Sequence, residues 1–465
     1  MMILSLAVRN LLRNRRRSLA TLLAMAIGST SVLLFGGYST NINQTMHTEY
    51  VQNGGHLQIQ HRDFFLYGSG NPTSYGIADY TKILAAIQND EVLRNMVLVA
   101  TPTLQFGGIA GNYAAGVSRT ITGNGFVAED VNRMRRWNDF GLRSGSPVFA
   151  LEGAPADAAI VGTGVARVLQ LCDALKIARC PKPEKEKKVE GPAAPDDIAQ
   201  LSLLETPAAS GPAQGSSRRI EVLAGNSRGA PNVASLEVIR AEEQGFKEFD
   251  EVYVMMHLAK TQQLIYGKSE PKVTSIVIQL KHSEQIPAAL VRLAPILEKF
   301  SVSQPLAVLD FRTLNPFYVQ TIQLFDTIFG FIFALIGAIV LFTVSNTMNT
   351  AVVERTVEIG TLRAIGLRRS GIRQLFVTEG MLLGMGGAVL GVVVALVFSG
   401  IANQMGLTWS PPGGVDPLPL TLTVWGETRM ILGTTVGLIC IAVLSAWWPA
   451  HRAAKLDVVE ALRHV

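Results

Sequence analysis

Four long stretches that are almost free of charge constrain most strongly how this 465-residue chain can fold. They cover residues 19–40, 321–353, 380–402 and 430–450. A helix rises about 1.5 Å per residue, so each stretch is long enough to cross a hydrocarbon core of roughly 30 Å. The sequence therefore predicts an α-helical membrane protein with four transmembrane helices.

The composition excludes a single soluble globule. Only 17% of the residues are charged, against about 25% in an ordinary soluble chain. The missing charge is concentrated in the four stretches, and charge is ordinary between them. Three cysteines are too few for a disulfide-dense scaffold or a zinc framework. The net charge of +5 comes largely from arginines beside the stretches, so we predict no nucleic-acid partner.

These arginines also predict the orientation of the chain, because basic residues concentrate on the cytoplasmic side. Residues 1–18 contain five arginines and no acid, and residues 354–379 contain five more. The tail 451–465 is also basic, whereas the short loop 403–429 has a single arginine. We therefore predict cytoplasmic termini, a cytoplasmic loop 354–379, and an external location for residues 41–320 and 403–429.

The basic start followed by an apolar stretch is also compatible with a cleaved signal peptide. The stretch 19–40 is longer than the apolar part of an ordinary signal peptide, and the residues after it form only a weak cleavage site. An uncleaved membrane anchor is the favoured interpretation.

Residues 41–320 predict a large α+β domain inserted between the first two transmembrane helices. Its predicted strands are residues 55–60, 251–256 and 273–281, and its predicted helices are residues 82–95 and 286–300. Residues 180–219 are rich in Pro, Lys, Glu, Ser and Gly, which predicts a flexible insert. The insert is either a solvated linker or an arm that binds a partner.

Two cysteines lie just before this insert. Cys172 and Cys180 are eight residues apart, and in an oxidising compartment they could close a small disulfide loop. The spacing leaves this pairing open, because it does not fix the distance between the two Cα atoms. Cys440 falls in the fourth stretch and is interpreted as a packing residue.

No strong catalytic motif accompanies these features. The chain contains no G-x-x-x-x-G-K-S/T phosphate loop, so we do not expect it to hydrolyse ATP itself. Residues 225–229 match the G-x-S-x-G motif of serine hydrolases, with Ser227 as nucleophile, but Pro231 follows where that motif requires a helix. A membrane-bound peptidase therefore has only this motif in its support. We predict no catalytic residue, no metal site and no cofactor in this chain.

The third stretch contains two glycine pairs with G-x-x-x-G spacing. They are Gly380 with Gly384 and Gly387 with Gly391. This spacing lets helix backbones approach closely within lipid. We therefore predict a close helix–helix contact along this stretch.

The loop 354–379 is too short for a domain and too regular for a simple connector. Glutamates and arginines alternate there with apolar residues such as Val357, Leu362 and Ile365. A short helix with mixed charge and apolar anchors suits docking onto a soluble partner. A basic helix lying on the membrane surface is the alternative, which the three glutamates disfavour.

Several segments together resemble the MacB/FtsX/LolC–LolE type of ABC-transporter permease. In the loop the resemblance rests on Glu354-Arg355, Glu358-Ile359-Gly360, Leu362-Arg363-Ala364, Gly366 and Glu379-Gly380. The tail Trp448–Arg463 provides a second match, although His451 and Val458 depart from the usual pattern. The start of the chain is similar to the amphipathic N-terminal helix of that family, here residues 1–18.

The resemblance implies a permease without a fused ATPase, as in LolC or LolE, in the inner (plasma) membrane of a bacterial cell. Two permease copies, identical or different, would work with a separate ATPase dimer that binds ATP and Mg²⁺. Docking would use Glu354, Arg355, Glu358, Ile359, Gly360 and Arg363. ATP-driven closure would be transmitted to the external domain, for lipoprotein release or for export of amphiphilic or peptide substrates.

The resemblance leaves further partners and one alternative function open. A periplasmic adaptor or a lipoprotein is a possible partner of the external domain. The alternative is an FtsX-like signalling scaffold that controls cell-wall hydrolases. The external domain is longer than this alternative would require.

Overall fold

The computed structural model describes residues 2–142, 147–177, 218–226, 228–244, 247–302, 304–409 and 418–456. The chain divides into two compact units. The first, called the helical unit, comprises Met1–Met46, Phe317–Trp409 and Leu418–Val465. The second, called the α+β domain, comprises His47–Pro316 together with residues 410–417.

Within the described residues, four helices are long and apolar enough to cross a membrane. The first to fourth spanning helices are Arg15–Gly54, Pro316–Glu354, Arg369–Gln404 and Thr428–Lys455. An N-terminal helix, Met2–Arg13, precedes them, and a short helix, Thr356–Ala364, lies between the second and third. Each spanning helix contains one of the predicted stretches. The chain is thus an α-helical membrane protein with four transmembrane helices and an α+β domain inserted between the first two.

The first two spanning helices are longer than the apolar stretches within them. The first continues past residue 40 to Gly54, because neither proline nor glycine interrupts residues 41–53. It ends where Gly55 adopts a positive φ of 69°. The second begins at Pro316, a position where proline suits the first turn of a helix. The first helix therefore extends well into the segment predicted as external domain.

The two glycine pairs of the third spanning helix contact different helices. Gly380 and Gly384 face Ala446 and Ala442 of the fourth helix, and a Cβ on Gly384 would lie 2.8 Å from that of Ala442. Gly387 and Gly391 face Met25 and Ser29 of the first helix, where the Ser29 hydroxyl donates to the carbonyl of Ala388. Small residues thus bring the third helix close to two neighbours.

Substituting Gly391 by alanine is expected to destabilise the helical unit. The added Cβ would overlap the Cβ of Ser29 and lie 2.7 Å from the carbonyl oxygen of Ala26. Overpacking of this kind costs about 1–3 kcal/mol. The thermal unfolding temperature of the detergent-solubilised chain should therefore fall in Gly391→Ala. Gly330→Ala is the matched control, because a Cβ there meets no described atom within 4 Å; equal melting temperatures of the two variants would contradict the contact.

The α+β domain is built on a mixed sheet. Its strands are β1 (Leu57–His61), β2 (Val97–Asn112), β3 (Val117–Phe126), β4 (Ala158–Gly162), β5 (Arg219–Gly225), β6 (Pro231–Glu242), β7 (Tyr253–His257), β8 (Ser275–Leu280) and β9 (Leu306–Asp310). In the described part of the chain they pair in the order β3-β7-β4-β6-β5-β2-β8-β1-β9. The two-residue strands Thr408–Trp409 and Leu418–Pro419 form a separate hairpin pairing in the helical unit.

Strand β2 joins two parts of this sheet. Its first half, up to Thr103, pairs with β8, and its second half pairs with β3 on one side and β5 on the other. The additional β2–β3 pairing closes a ring of six strands, in the order β2-β3-β7-β4-β6-β5. Buried apolar side chains such as Phe106, Val222 and Met256 line up within one core cluster.

Helices pack against the sheet at several points. They are Phe64–Tyr67, Tyr80–Asn89, Leu93–Met96, Ala128–Arg135, Thr163–Val168, Cys172–Leu175, Lys247–Asp250, Leu258–Tyr266, Ile286–Phe300 and Phe311–Leu314. The helix expected over residues 82–95 is broken into two. The reason is Asp90, whose carboxylate accepts from the backbone N–H groups of Val92 and Leu93 and so starts a new helix.

Several predicted features lie outside the described residues. They include Cys180, Ser227 and the insert 180–219 apart from Arg218 and Arg219. Cys172 begins the helix Cys172–Leu175, and its pairing with Cys180 stays a prediction. The tail residues after Leu456 are also outside the described part.

A buried histidine pair lies in the α+β domain, next to Trp137 and Phe311. The Nδ1 atom of His56 accepts from the backbone N–H of Leu280 at 3.0 Å, so the proton of the neutral ring is on Nε2. That nitrogen donates to the Ser283 hydroxyl at 3.0 Å, which in turn bonds Nε2 of His47 at 2.8 Å. Burial, and secondarily the neighbouring His47, lower the pKa of His56 to about 3.

The α+β domain is expected to lose stability as the pH falls. His56 titrates near 6.5 when unfolded and only near 3 when folded, so its contribution is complete above pH 6.5 and is lost toward pH 3. One such proton contributes at most about 1.4 kcal/mol per pH unit. Hydrogen exchange of the β8 amides in the full chain, at pH 7 and pH 5, measures the free energy of opening.

The variant His56→Asn is expected to reduce this pH dependence by about one proton. Its side-chain oxygen can still accept from Leu280, but it does not titrate. His61→Asn, at the end of the strand that follows His56 and half-buried, is the control and should keep the wild-type dependence. An unchanged slope in His56→Asn would show that His56 is not the group that titrates.

Candidate functional site

The chain reverses direction between the second and third spanning helices through the nine-residue helix Thr356–Ala364, here called the loop helix. Arg355 leaves helical geometry, with φ of −109° and ψ of 21°, and thereby separates it from the second spanning helix. Gly366, with φ of 109°, ends the segment in a conformation that disfavours other residues. The loop helix is thus set off at both ends by the local backbone.

A buried ion pair lies at the start of the loop helix. Arg355 Nη1 donates to Glu379 Oε1 at 3.0 Å, and their side chains are only 8% and 2% exposed. Asn10 of the N-terminal helix contributes to both partners: its amide donates to Glu379 at 2.6 Å, and its carbonyl accepts from Arg355 at 3.2 Å. These contacts join the N-terminal helix, the loop helix and the third spanning helix at one point.

Two exposed ion pairs connect the loop helix and the last residue of the second spanning helix to the N-terminal region. Arg13 donates to both carboxylate oxygens of Glu358 at 2.7 Å, and this bond raises the pKa of the Arg13 guanidinium. Arg17 donates to Glu354 at 2.9 Å, and Asn14 donates to the same carboxylate at 3.3 Å. Exposed pairs of this kind each contribute about 0–1 kcal/mol. The two ion pairs therefore orient the carboxylates of Glu354 and Glu358 but hold them only weakly.

The six residues predicted to form the docking surface differ in their exposure. Arg355, Ile359 and Gly360 are buried within the helical unit. Positions 355 and 359 are four residues apart, and both lie on the inner face of the segment. Arg363 is half-buried and donates to the backbone carbonyl of Leu456. Among the six predicted residues, Glu354 and Glu358 are the exposed ones, and both are paired with arginines.

Three large apolar side chains of this segment are exposed beside Glu354 and Glu358. Val353, Val357 and Ile365 are 73%, 44% and 81% exposed, and Thr361 lies between them at the same four-residue spacing. Arg368 and Arg369 are exposed directly after them. The four-residue spacing of positions 353, 357, 361 and 365 is a sequence signal for this set, but a prediction based on the charged residues does not include it. We call Val353, Val357, Thr361 and Ile365 the apolar stripe.

The first and second spanning helices contact each other along their length. Near the loop helix, the hydroxyls of Thr21 and Thr347 are 2.8 Å apart. In the middle, the rings of Phe35 and Phe329 stack with centroids 6.4 Å apart. Toward the α+β domain in sequence, the Tyr318 hydroxyl donates to Asn43 at 2.7 Å. Polar contacts near both ends and aromatic packing between them pair these two helices.

Removing one partner of the buried ion pair is expected to be strongly destabilising. Arg355→Leu and Glu379→Leu would each leave a buried charge unpaired, at a cost of about 3–5 kcal/mol. The double variant removes both charges and should recover much of that loss. Thermal unfolding of the solubilised chain, carried out as a double-mutant cycle, measures the coupling. Additive effects of the two substitutions would contradict a direct interaction.

Comparison with known proteins identifies the type of membrane domain. Residues 327–458 match the FtsX-like permease C-terminal family. An uncharacterized ABC transporter permease of Methanocaldococcus jannaschii is 29% identical over 203 residues, 42% of this chain and 47% of that protein. The lipoprotein-releasing system transmembrane protein LolC of Neisseria meningitidis serogroup B is 26% identical over 244 residues, 50% of this chain and 56% of LolC. The macrolide export ATP-binding/permease protein MacB of Escherichia coli K12 is 34% identical over 143 residues, 31% of this chain and 20% of MacB.

These alignments cover about half the length of the first two relatives and a fifth of MacB. The family match begins in the second spanning helix and includes the loop helix, the buried ion pair and the third and fourth spanning helices. The chain therefore carries an FtsX-like permease domain over residues 327–458 and resembles ABC-transporter permeases of the MacB/LolC type.

Proposed function

We propose that this chain is a transporter subunit that receives work from a separate ATPase at the loop helix and passes it to the α+β domain. The observation that carries the proposal is the apolar stripe: four exposed residues at four-residue spacing run through the loop helix and the residues on either side of it, next to the buried ion pair of Arg355 with Glu379. A mobile connector would need neither feature. A helix that transmits force needs one face for the partner and one rigid attachment.

The chemistry of the stripe indicates what the partner must offer. Val353, Val357 and Ile365 require an apolar groove, since leaving them in water forgoes the burial of their side chains. Arg368 and Arg369 at one end call for acidic residues on the rim of that groove. The partner in this proposal is an ATPase dimer that binds ATP and Mg²⁺, with the loop helix in the cytoplasm.

Two features support transmission from the loop helix to the α+β domain. Movement of the loop helix would act on the N-terminal helix and the third spanning helix through Arg355, Glu379 and Asn10. The first and second spanning helices are paired along their length, and they are the helices that continue into the α+β domain. Within that domain, the strands nearest to them in sequence, β1 and β9, pair with each other. In this proposal, the two helices move together and transmit the movement of the loop helix to the α+β domain.

The class of substrate follows from the relatives rather than from a pocket. LolC is named for lipoprotein release and MacB for macrolide export. We include lipoproteins and amphiphilic or peptide substrates in the proposal, handled on the external side of a bacterial inner membrane. A second permease copy, identical or different, would complete the transporter, and a periplasmic adaptor or lipoprotein would contact the α+β domain.

Placing charge in the apolar stripe is expected to abolish ATPase association. The double variant Val357→Asp/Ile365→Asp opposes burial of the stripe in a groove, and a buried unpaired carboxylate costs several kcal/mol. Affinity purification of the full chain from its native cells, followed by mass spectrometry and an assay of ATP hydrolysis in the eluate, measures association. At least a tenfold loss of co-purified ATPase is expected, which corresponds to about 1.4 kcal/mol.

Val291→Asp in the α+β domain is the matched control, because Val291 is also highly exposed and lies on another helix. This variant should retain the ATPase at the wild-type level. Equal recovery of the ATPase with the stripe variant and the control would contradict docking at the stripe. Wild-type membrane insertion of all variants is checked by their yield in the membrane fraction.

A further inference from the structure

Strand β9 lies at the end of the strand order in the α+β domain. In the described residues it pairs with β1 alone, over the register Leu57↔Asp310 to His61↔Leu306. Its other edge therefore faces away from the sheet. An edge of this kind presents backbone N–H and C=O groups that can pair with another strand.

The hydrogen bonds that flank β9 show which of its backbone groups point outward. Arg62 N–H donates to the carbonyl of Pro305, and Phe311 N–H donates to the carbonyl of His56. In an antiparallel ladder, hydrogen-bonded pairs alternate with pairs that are not bonded to each other. Ala307 and Leu309 are therefore bonded to β1, whereas the backbone groups of Leu306 and Val308 point to the free edge.

A groove borders this edge. It has a volume of about 450 Å³ and lies between β9 and the helix Ile286–Phe300. Its lining is mainly apolar: Leu290, Ala294, Leu297, Leu306 and Val308. Arg62 and Glu298 add one charge of each sign to its walls. The groove offers pockets for side chains directly beside a row of unpaired backbone groups.

Apart from its short length and Asp310 at its end, the sequence of β9 does little to protect the edge. Proteins commonly block exposed edges with lysine, proline, a bulge or an inward-pointing charge. Residues 306–309 read Leu-Ala-Val-Leu, and the β1–β9 register is uninterrupted over all five pairs. An apolar strand edge beside a groove has the form of a binding site for a strand.

We infer that the free edge of β9 binds an extended polypeptide segment with apolar residues at alternate positions. The backbone groups of Leu306 and Val308 select a partner that supplies its own alternating N–H and C=O groups, which only an extended polypeptide does. Every second side chain of that segment enters the groove against Leu290 and Leu297. This site is independent of the docking of an ATPase at the loop helix.

A second copy of this chain is a poorer occupant. Antiparallel pairing of β9 with itself, centred on Val308, would place the carboxylate of Asp310 opposite Leu306. That carboxylate already accepts from the backbone N–H of Thr313. The strand has only five residues, and a stable protein interface buries about 1,200 Å² or more.

Strand β1 supplies the probe sequence, because it already pairs with the other edge of β9, and the experiment asks whether the same sequence also pairs with the free edge. The test uses a fluorescein-labelled peptide of residues 55–62, GHLQIQHR, and the full chain in nanodiscs. Fluorescence anisotropy is expected to show saturable binding with a dissociation constant below about 1 mM. Val308→Pro removes one outward N–H and should weaken binding at least tenfold, because proline is compatible with an edge strand but cannot donate.

Val308→Thr keeps the N–H and the branched shape, so it should bind the peptide as the wild type does. Unchanged hydrogen exchange at Gln58 and Gln60 verifies that β1 and β9 still pair in Val308→Pro. Ala294→Trp, which fills the groove without altering the strand, should also weaken binding and provides a second test if the proline variant does not fold.

Three results would overturn the inference. One is the absence of saturable binding up to about 1 mM peptide. Another is equal affinity of the wild type, Val308→Pro and Ala294→Trp. The third is a wild-type dimer that Val308→Pro converts to a monomer while the peptide fails to compete, since a second copy would then occupy the edge.

Discussion

The helical unit depends on one buried interaction, the ion pair of Arg355 with Glu379. Two charges withdrawn from water are tolerated only if each finds several hydrogen bonds, and Asn10 supplies the additional ones on both sides. Because three separate segments contribute to it, the ion pair fixes their relative positions more specifically than apolar contacts would. The loop helix can then leave its outer face unoccupied without losing its place. Arg355 thus anchors the start of the loop helix, while Val357 and Thr361 within that helix stay exposed.

The remaining contacts within the helical unit differ in strength. Glycines bring the third spanning helix into close contact with the fourth helix and with the first. Hydroxyl and amide groups tie the first helix to the second near both ends. The exposed pairs of Arg13 with Glu358 and Arg17 with Glu354 are weak by comparison and screened by salt. A partner that docks on the loop helix can therefore rearrange these exposed pairs at little cost while the buried pair stays intact.

The sequence predicted the four spanning helices and the position of the inserted domain, because long uncharged stretches have few alternative explanations. It also predicted the helix Ile286–Phe300 with its bounds, since its apolar spacing is regular. The extension of the first helix to Gly54 was missed, because residues 41–53 are polar and hydropathy does not report helices in water. The inner location of Arg355 was missed for a related reason. A charged side chain suggests exposure unless its buried partner is known, and Glu379 lies 24 positions away.

The ring of six strands shows a different limit of sequence reasoning. The ring depends on β2, which pairs with one strand in its first half and with two other strands in its second half. No local sequence pattern marks that change of partner. By contrast, the pairing of β1 with β9 follows from connectivity. β1 begins three residues after the first spanning helix ends, and β9 ends six residues before the second begins. Since β1 follows the first of these helices and β9 precedes the second, two helices that contact each other are connected in sequence to two strands that pair. The free edge of β9 belongs to the β1–β9 ladder, so a strand bound there would extend the pairing of the two strands that are nearest in sequence to these helices.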